Sequence, residues 1–212
     1  MLPKDIFQKH THIWLDLDET LASTFAGMLR VAHGVGKLLS CTSTEDFIIH
    51  DIFDDPSFGI SKAEMIDIWH QYNLSVQDPK DTLVIDGALI WVSSLIQCGT
   101  KCSIVTARNG NDPIKRKITL DWLRHHFPHI SIDDLHFVNH YSDESLPKST
   151  ICKNLWITLL IDDHIDNARD MMDAGLSMIL LEKPWNRDII FDHPNLYRVK
   201  NWQAIIDNLS SK

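Results

Sequence analysis

An apolar run that leads into two aspartates is the feature that most constrains the fold of this chain. Residues 13–15 are apolar, and Asp16-Leu17-Asp18 follows them directly. Alternate residues of a strand point to the same side, so Asp16 and Asp18 can address one spot from the C-terminal tip of a buried strand. Two carboxylates at one spot indicate a hard cation, or a pair in which one attacks an electrophile and the other moves a proton.

Strands and helices are predicted to alternate along most of the chain. Strand-like apolar runs occupy residues 13–17, 102–106, 135–138, 157–161 and 178–181. Helical spacing of apolar residues appears at 88–96 and 168–172, with Gly99 and Gly175 near the ends, and again from Trp202 onward. This alternation predicts an α/β fold, with a Rossmann-like parallel sheet core and helices on both faces.

One segment interrupts the alternation directly after the first strand. Residues 22–82 contain two stretches with helical spacing, which begin near Phe25 and Met65, and no convincing strand lies between them. We therefore predict a small helical cap at residues 22–82, inserted after the first strand. The catalytic core would comprise residues 1–21 and 83–212.

Composition limits the classes of partner. The formal net charge of −9 gives no general attraction to long nucleic acid or to an anionic membrane. No apolar run approaches the roughly 20 residues of a membrane span, and the first residues lack the apolar core of a signal peptide. We expect a cytoplasmic protein with a small phosphorylated partner. The sequence is compatible with a homo-oligomer without indicating one.

Several polar residues are predicted to meet at one edge of the sheet, because open parallel sheets bind ligands at the carboxyl ends of their strands. The set comprises Asp16, Asp18, Thr106, Lys148, Asp162 and Asp163. This inventory suits phosphoryl transfer, in which Asp16 attacks phosphorus and Asp18 moves the proton. Thr106 and Lys148 can hold phosphate oxygens, and a divalent ion offsets repulsion from the carboxylates. All-oxygen ligands favour Mg²⁺.

Each of these residues also has an ordinary structural explanation. An Asp-X-Asp pair is common at strand ends, and Thr106 alone would be a helix cap. Lys148 alone would be a solvated lysine, with Lys153 as a competitor nearby. Arg108 is placed to reach a sugar or a phosphate, or to form a structural salt bridge. The order of the residues across separate segments favours the joint interpretation.

That order resembles the haloacid dehalogenase-like hydrolase superfamily at all four of its motifs. The matching segments are Asp16-Leu17-Asp18-Glu19-Thr20, Ile104-Val105-Thr106, Lys148 and Ile161-Asp162-Asp163. The resemblance implies Asp16 as the nucleophile, Asp18 as the acid and base, and Thr106 and Lys148 on the phosphate. It also implies Mg²⁺ held by Asp16, the backbone carbonyl of Asp18 and Asp162.

Details of the resemblance narrow the chemistry further. Dehalogenases of the superfamily lack the second aspartate, so Asp18 argues for a phosphatase. Asp163 would support the metal site, and the sequence does not decide whether Asp163 or Asp166 contacts the ion. The long stretch between the first two motifs, together with Lys183-Pro184-Trp185-Asn186, resembles the 5′(3′)-deoxyribonucleotidase branch. Glu19 departs from the glycine of most of these nucleotidases, and resembles phosphatases that act on the RNA polymerase C-terminal domain.

We therefore expect a Mg²⁺-dependent phosphomonoesterase that hydrolyses nucleoside monophosphates through an aspartyl-phosphate. The alternatives are a sugar phosphate, a phosphoprotein or a polynucleotide end as substrate, or a catalytically silent binding protein on the same fold. Substrate selection would fall to the cap, whose aromatic residues either stack on a base or form the cap core. These aromatics are Phe25, Phe47, Phe53, Phe58, Trp69 and Tyr72.

Overall fold

A six-stranded parallel sheet forms the centre of the molecule. The computed structural model describes residues 2–37, 39–139 and 145–210. The strands are β1 (His12–Asp16), β2 (Lys101–Thr106), β3 (Leu135–Phe137), β4 (Leu159–Asp162), β5 (Ser177–Leu181) and β6 (Leu196–Val199). Their order across the sheet is β3-β2-β1-β4-β5-β6, and every neighbouring pair is parallel. The strand that carries Asp16 therefore lies in the middle of the sheet, between β2 and β4.

The α-helices of the described part of the chain connect the strands and form the insertion. They are α1 (Ile6–Lys9), α2 (Thr24–Gly34), α3 (Lys62–Ser75), α4 (Ala88–Gln97), α5 (Pro113–His126), α6 (Lys148–Asn154), α7 (Ile165–Asp173), α8 (Pro184–Arg187) and α9 (Trp202–Ser210). None of the helices that the structure describes is long and apolar enough to cross a membrane.

Both faces of the sheet are covered, which explains why β1 is apolar without alternation. Ile13, Trp14 and Leu15 have no exposed surface. Ile13 and Leu15 belong to one hydrophobic cluster, with Trp91 of α4 and Trp202 of α9. Trp14 points to the other face and joins the cluster that includes residues of α7. A strand that is buried on both faces reads as a continuous apolar run.

Helices α2 and α3 pack on each other around a separate hydrophobic cluster, called here the cap cluster, to which Trp185 of α8 also contributes. Its buried members are Phe25, Met28, Leu29, Ala32, Cys41, Phe47, Ile52, Phe58, Met65, Ile68, Tyr72, Val76 and Trp185. Ser61 begins α3 with a capping box in which Ser61 and Glu64 satisfy each other's backbone N–H groups. The separate cluster supports residues 22–82 as a cap, and those bounds stay a prediction.

The predicted fold class is confirmed, and the differences lie in individual elements. The five predicted strands are present, with ends displaced by one or two residues. Strand β6 was not predicted, because three of its four residues are only half-buried and give no strong apolar signal. Helix α5 was also not predicted, although Asp112 caps its first turn and Pro113 occupies the first helical position.

Candidate active site

Asp16 and Asp162 lie side by side at the carboxyl edge of the sheet. Leu15 of β1 is in register with Ile161 of β4, so the next residue of each strand is an aspartate at the same level. Lys148, the first residue of α6, lies between them. Its Nζ donates to Oδ1 of Asp16 at 2.5 Å and to Oδ2 of Asp162 at 2.7 Å. All three side chains are buried, so the ion pairs are shielded from solvent.

Asp162 is fixed from a second side by the start of α7. Its Oδ1 accepts the backbone N–H of His164 at 2.7 Å, and its Oδ2 accepts Asn167 Nδ2 at 2.8 Å. Burial alone would raise the pKa of Asp162, but the Lys148 ammonium and these hydrogen bonds hold it below its ordinary value. Asp162 is therefore a fixed, ionised carboxylate.

Three buried carboxylates converge at this edge. Oxygen atoms of Asp16, Asp162 and Asp163 lie within 4.8 Å of one another. Burial and the neighbouring charges of Asp162 and Asp163 raise the pKa of Asp16 well above its ordinary value, although Lys148 opposes them. Burial and the charge of Asp162 likewise raise the pKa of Asp163 to about 6. One ammonium does not neutralise three carboxylates, and an oxygen-only set with surplus negative charge fits a hard divalent cation.

Two neighbouring carboxylates lie outside this group. The side chain of Asp18 is hydrogen-bonded to Arg108 and Thr24 and is not one of the converging carboxylates. A contribution of Asp18 to metal binding would therefore come from its backbone carbonyl, and that stays a prediction. Asp166 is exposed and pairs with Arg169 at 2.6 Å. Of Asp163 and Asp166, only Asp163 is part of the carboxylate group.

Asp18 is held by a two-point ion pair with Arg108. The Arg108 Nε and Nη2 atoms donate to the two carboxylate oxygens at 3.0 and 2.6 Å. Thr24 Oγ1 donates to Oδ1 of Asp18 at 2.5 Å, and Arg108 Nη1 is anchored on Thr119 Oγ1 at 3.0 Å. Burial raises the pKa of Asp18, but the guanidinium and the hydrogen bonds outweigh it and leave the pKa below its ordinary value. Of the two roles predicted for Arg108, the structure therefore contains the salt bridge.

Thr106 ends β2, the strand beside β1. Val105 is in register with Asp16, so Thr106 extends one position beyond it at the same edge. Its side chain is buried, and its Oγ1 accepts the backbone N–H of Arg108 at 3.2 Å. The structure therefore brings Thr106, Lys148 and the aspartates to one edge, while their catalytic roles stay predictions.

A cavity of about 370 Å³ opens beside Asp18, between the cap helices and the loop after β2. Its lining residues are Asp18, Thr24, Phe25, His50, Asp51, Ile52, Phe53, Trp69, Asn73, Ala107, Arg108, Asn109, Lys115 and Ile118. Phe25, Phe53 and Trp69 are therefore the predicted cap aromatics that face this space. The other three, Phe47, Phe58 and Tyr72, are buried in the cap cluster.

Glu19 connects the first motif to the cap. Its backbone is left-handed, with φ of 57°, and its buried carboxylate accepts the N–H of Phe25 at 2.6 Å. Phe25 lies in the first turn of α2, whose preceding Ser23 makes no side-chain cap. Glu19 thus satisfies an N–H that the helix leaves unpaired. Burial raises the pKa of Glu19 to about 7, although Lys183 and the Phe25 N–H oppose it.

Three further residues contact the site and are not among the residues predicted from the sequence. Thr24 bonds Asp18, and His50 reaches from the cap to within 3.9 Å of Asp163. Trp185 Nε1 donates to Oδ2 of Asp163 at 3.0 Å. The segment 183–186 is visible in the sequence, but only as a family likeness. No sequence signal marks His50, which lies in an irregular loop.

Comparisons with known proteins identify a family and several solved structures that resemble this chain. The family model described as 5′ nucleotidase, deoxy (Pyrimidine), cytosolic type C protein matches residues 10–211. No curated protein sequence is significantly similar to the chain.

Solved structures share the fold at low sequence identity. A putative phosphoglycolate phosphatase from Lactobacillus delbrueckii subsp. bulgaricus has a TM-score of 0.64 at 13% identity, covering 96% of this chain and 99% of that one. A second, from Lactobacillus plantarum, has a TM-score of 0.60 at 16% identity, covering 94% and 99%. CbbY from Rhodobacter sphaeroides in complex with phosphate has a TM-score of 0.57 at 14% identity, covering 95% and 99%. The chain therefore belongs to the family of 5′ nucleotidase, deoxy (pyrimidine), cytosolic type C proteins, and is a phosphoric monoester hydrolase of the haloacid dehalogenase-like superfamily.

Proposed function

We propose that this chain is a Mg²⁺-dependent phosphatase that hydrolyses nucleoside monophosphates through an aspartyl-phosphate on Asp16. The observation that carries the proposal is that two aspartates of the first motif have different surroundings. Asp16 lies against Lys148 in the buried carboxylate group, whereas Asp18 lies against Arg108 at the wall of the aromatic cavity. Two carboxylates in different environments take different roles.

The donor set supports Mg²⁺ as the cofactor. Asp16 and Asp162 would hold the ion together with the backbone carbonyl of Asp18, and Asp163 would support them. When bound, Mg²⁺ would offset the repulsion between these carboxylates and the substrate phosphate.

In the proposed first step, Asp16 attacks phosphorus and a carboxylate oxygen–phosphorus bond forms. The bond from phosphorus to the ester oxygen breaks, and Asp18 delivers a proton to that leaving oxygen. In the second step, Asp18 takes a proton from water, whose oxygen attacks phosphorus, and the bond between phosphorus and the Asp16 oxygen breaks, so inorganic phosphate is released. Asp16 is then regenerated. Lys148 and Thr106 would stabilise the charge on the transferring oxygens.

The ion pair with Arg108 favours one half of this cycle. It stabilises ionised Asp18, which is the form that accepts a proton from water in the second step. In the first step Asp18 has to carry a proton, so Arg108 has to give up at least one of its two hydrogen bonds to that carboxylate. A substrate phosphate or sugar hydroxyl in the cavity can take over guanidinium hydrogen bonds, because Arg108 also lines that space.

The cavity supports a mononucleotide as the substrate. Its volume of about 370 Å³ lies in the range of small-molecule sites. Phe25, Phe53 and Trp69 offer aromatic surface for a base, and Asn73 and Asn109 offer amide groups to its edge. The net charge of −9 disfavours a long polynucleotide. We also propose residues 22–82 as the cap that selects the substrate.

A panel of phosphate esters tests the proposal. Phosphate release is measured with 5′- and 3′-nucleoside monophosphates, sugar phosphates, a phosphopeptide and a 5′-phosphorylated oligonucleotide, each with MgCl₂ and with excess EDTA. We expect the highest kcat/KM for a nucleoside monophosphate and loss of activity in EDTA. Preference for another class of ester would overturn the substrate assignment. Full activity in EDTA would overturn the proposed dependence on Mg²⁺.

A further inference from the structure

Trp185 lies between the cap cluster and the candidate metal site. It belongs to α8, which follows β5 on the core side of the molecule. Its side chain is nevertheless a buried member of the cap cluster. Its indole nitrogen donates to Oδ2 of Asp163, in the buried carboxylate group. One side chain therefore contacts both the cap and the candidate metal site.

The ring of Trp185 is held by aromatic residues of the cap. Its centroid lies 5.3 Å from that of Phe25, 6.3 Å from Phe47 and 5.9 Å from His50. Rings packed at these distances leave little freedom of rotation. The direction of the indole N–H is thus fixed by cap packing. Phe25 and His50 also line the substrate cavity.

The same segment fixes the backbone of Asp163. Asn186 Nδ2 donates to the carbonyl oxygens of Asp163 at 2.7 Å and Leu181 at 2.8 Å, and Asn186 Oδ1 accepts the N–H of Lys183 at 3.1 Å. The end of β5 is thereby tied to the loop that follows β4. Trp185 and Asn186 approach Asp163 together, one at its carboxylate and the other at its main chain.

In the described part of the chain, Asp163 has few other side-chain partners. Its Oδ1 accepts Thr20 Oγ1 at 3.2 Å, and Nε2 of His50 lies 3.9 Å from Oδ2, too far for a hydrogen bond. Without the indole N–H, Oδ2 would be buried with no direct donor among the residues that the structure describes, and it would be able to reorient. A polar atom buried in this way costs free energy and loses its fixed direction.

We infer that Trp185 is a positioning residue for the metal site: its indole N–H orients Asp163, and its ring ties that orientation to the packing of the cap. The inference rests on the Mg²⁺ site of the proposed function. Partners that orient metal-site carboxylates typically change metal affinity 10- to 100-fold when removed. We expect a change near the lower end of that range, about tenfold, since Asp163 keeps the Thr20 hydrogen bond.

Trp185→Phe tests the inference, because it removes the N–H and keeps an aromatic ring. Mg²⁺ is titrated into metal-free protein by isothermal titration calorimetry, without substrate. Trp156→Phe is the matched control, since Trp156 is 89% exposed. We expect the dissociation constant for Mg²⁺ to rise about tenfold in Trp185→Phe and to stay within about twofold in Trp156→Phe.

A second replacement separates the N–H from the packing of the ring. 3-Benzothienyl-alanine at position 185 keeps the shape of the indole and replaces its N–H by sulfur, so it should weaken Mg²⁺ binding as Trp185→Phe does. Wild-type affinity in this protein would overturn the inference while leaving the metal site intact. Absence of Mg²⁺ binding by the wild type would instead overturn the proposed metal site itself.

Discussion

The guanidinium of Arg108 and the carboxylate of Asp18 face each other in a two-point ion pair, with N–O distances of 3.0 and 2.6 Å. Arg108 comes from the loop after β2 and Asp18 from the loop after β1, so the pair joins the ends of neighbouring strands. Thr24 adds a hydrogen bond from the first residue of α2. The position of the proposed acid and base is therefore set by three separate segments.

Removal of the guanidinium should destabilise the protein through Asp18. Breaking a buried ion pair by removing one partner costs about 3–5 kcal/mol, and we expect about 2–3 kcal/mol for Arg108→Met because Asp18 is 26% exposed. Asp18→Asn should relieve much of this cost, because no unpaired charge remains. A double-mutant cycle of urea unfolding measures the coupling. Arg116→Met, an exposed change on α5, is the control. Equal losses in both arginine variants would contradict the account.

Replacement of Lys148 should strongly destabilise the metal-free protein. Lys148→Met removes the ammonium that pairs with the buried carboxylates of Asp16 and Asp162, so we expect a loss of about 3–5 kcal/mol in the free energy of unfolding. MgCl₂ should restore part of that stability, and phosphate release should fall at least about 100-fold. Lys153→Met, on the exposed side of the same helix, should have neither effect. Thermal unfolding with and without MgCl₂ checks this, and the opposite ranking of the two variants would refute it.

Glu19 should make stability fall as pH rises. The pKa of Glu19 is raised to about 7 in the folded protein, against 4.5 as the ordinary value. Between these values the unfolded chain releases the proton and the folded chain keeps it, so the folded state loses relative stability across that window. The full shift corresponds to about 3 kcal/mol at most.

Glu19→Gln keeps an oxygen for the Phe25 N–H and removes the titration. In EDTA, the free energy of unfolding of the variant should equal that of the wild type near pH 4.5 and exceed it above pH 7. Urea unfolding at several pH values measures the difference. A constant difference between the two proteins across pH 4.5 to 7 would show that Glu19 is ionised in the folded state throughout.

Trp69 should contribute to binding of the base and not to the chemistry. Stacking of a base on an aromatic side chain is worth about 1–3 kcal/mol, so Trp69→Leu should raise KM for a nucleoside monophosphate about tenfold. The kcat/KM for p-nitrophenyl phosphate should change much less. Phe58→Leu is the contrasting variant, because Phe58 is buried in the cap cluster and does not line the cavity. It should lower stability and leave the ratio between the two substrates unchanged.

The sequence predicts the central part of the site because parallel strands have a common polarity. Asp16 and Asp162 each follow an apolar run, and runs that form neighbouring parallel strands necessarily end at the same edge. The same reasoning does not reach β6, whose residues Leu196, Tyr197 and Arg198 are half-buried. Helix α5 has clear start signals, but charged residues such as Lys115 and Arg116 dilute its apolar spacing.

Side-chain partners within the site depend on paths of loops that no periodicity encodes. The sequence allows two roles for Arg108, a contact with the substrate or a structural salt bridge. The course of the loop after β2 brings its side chain to Asp18. Trp185 contacts Asp163 across a sequence separation of 22 residues. Glu19 departs from the glycine that most of the nucleotidases carry in the first motif. Its contact with the Phe25 N–H explains it as a link to α2.

Asp16 is the residue on which the proposed chemistry depends most. The most direct measurement is the rate of phosphate release from a nucleoside monophosphate in MgCl₂, for the wild type and for Asp16→Asn. Circular dichroism and thermal unfolding establish that the variant is folded. We expect no release above background from folded Asp16→Asn, since no carboxylate remains to attack phosphorus. Undiminished phosphate release from that variant would contradict the account.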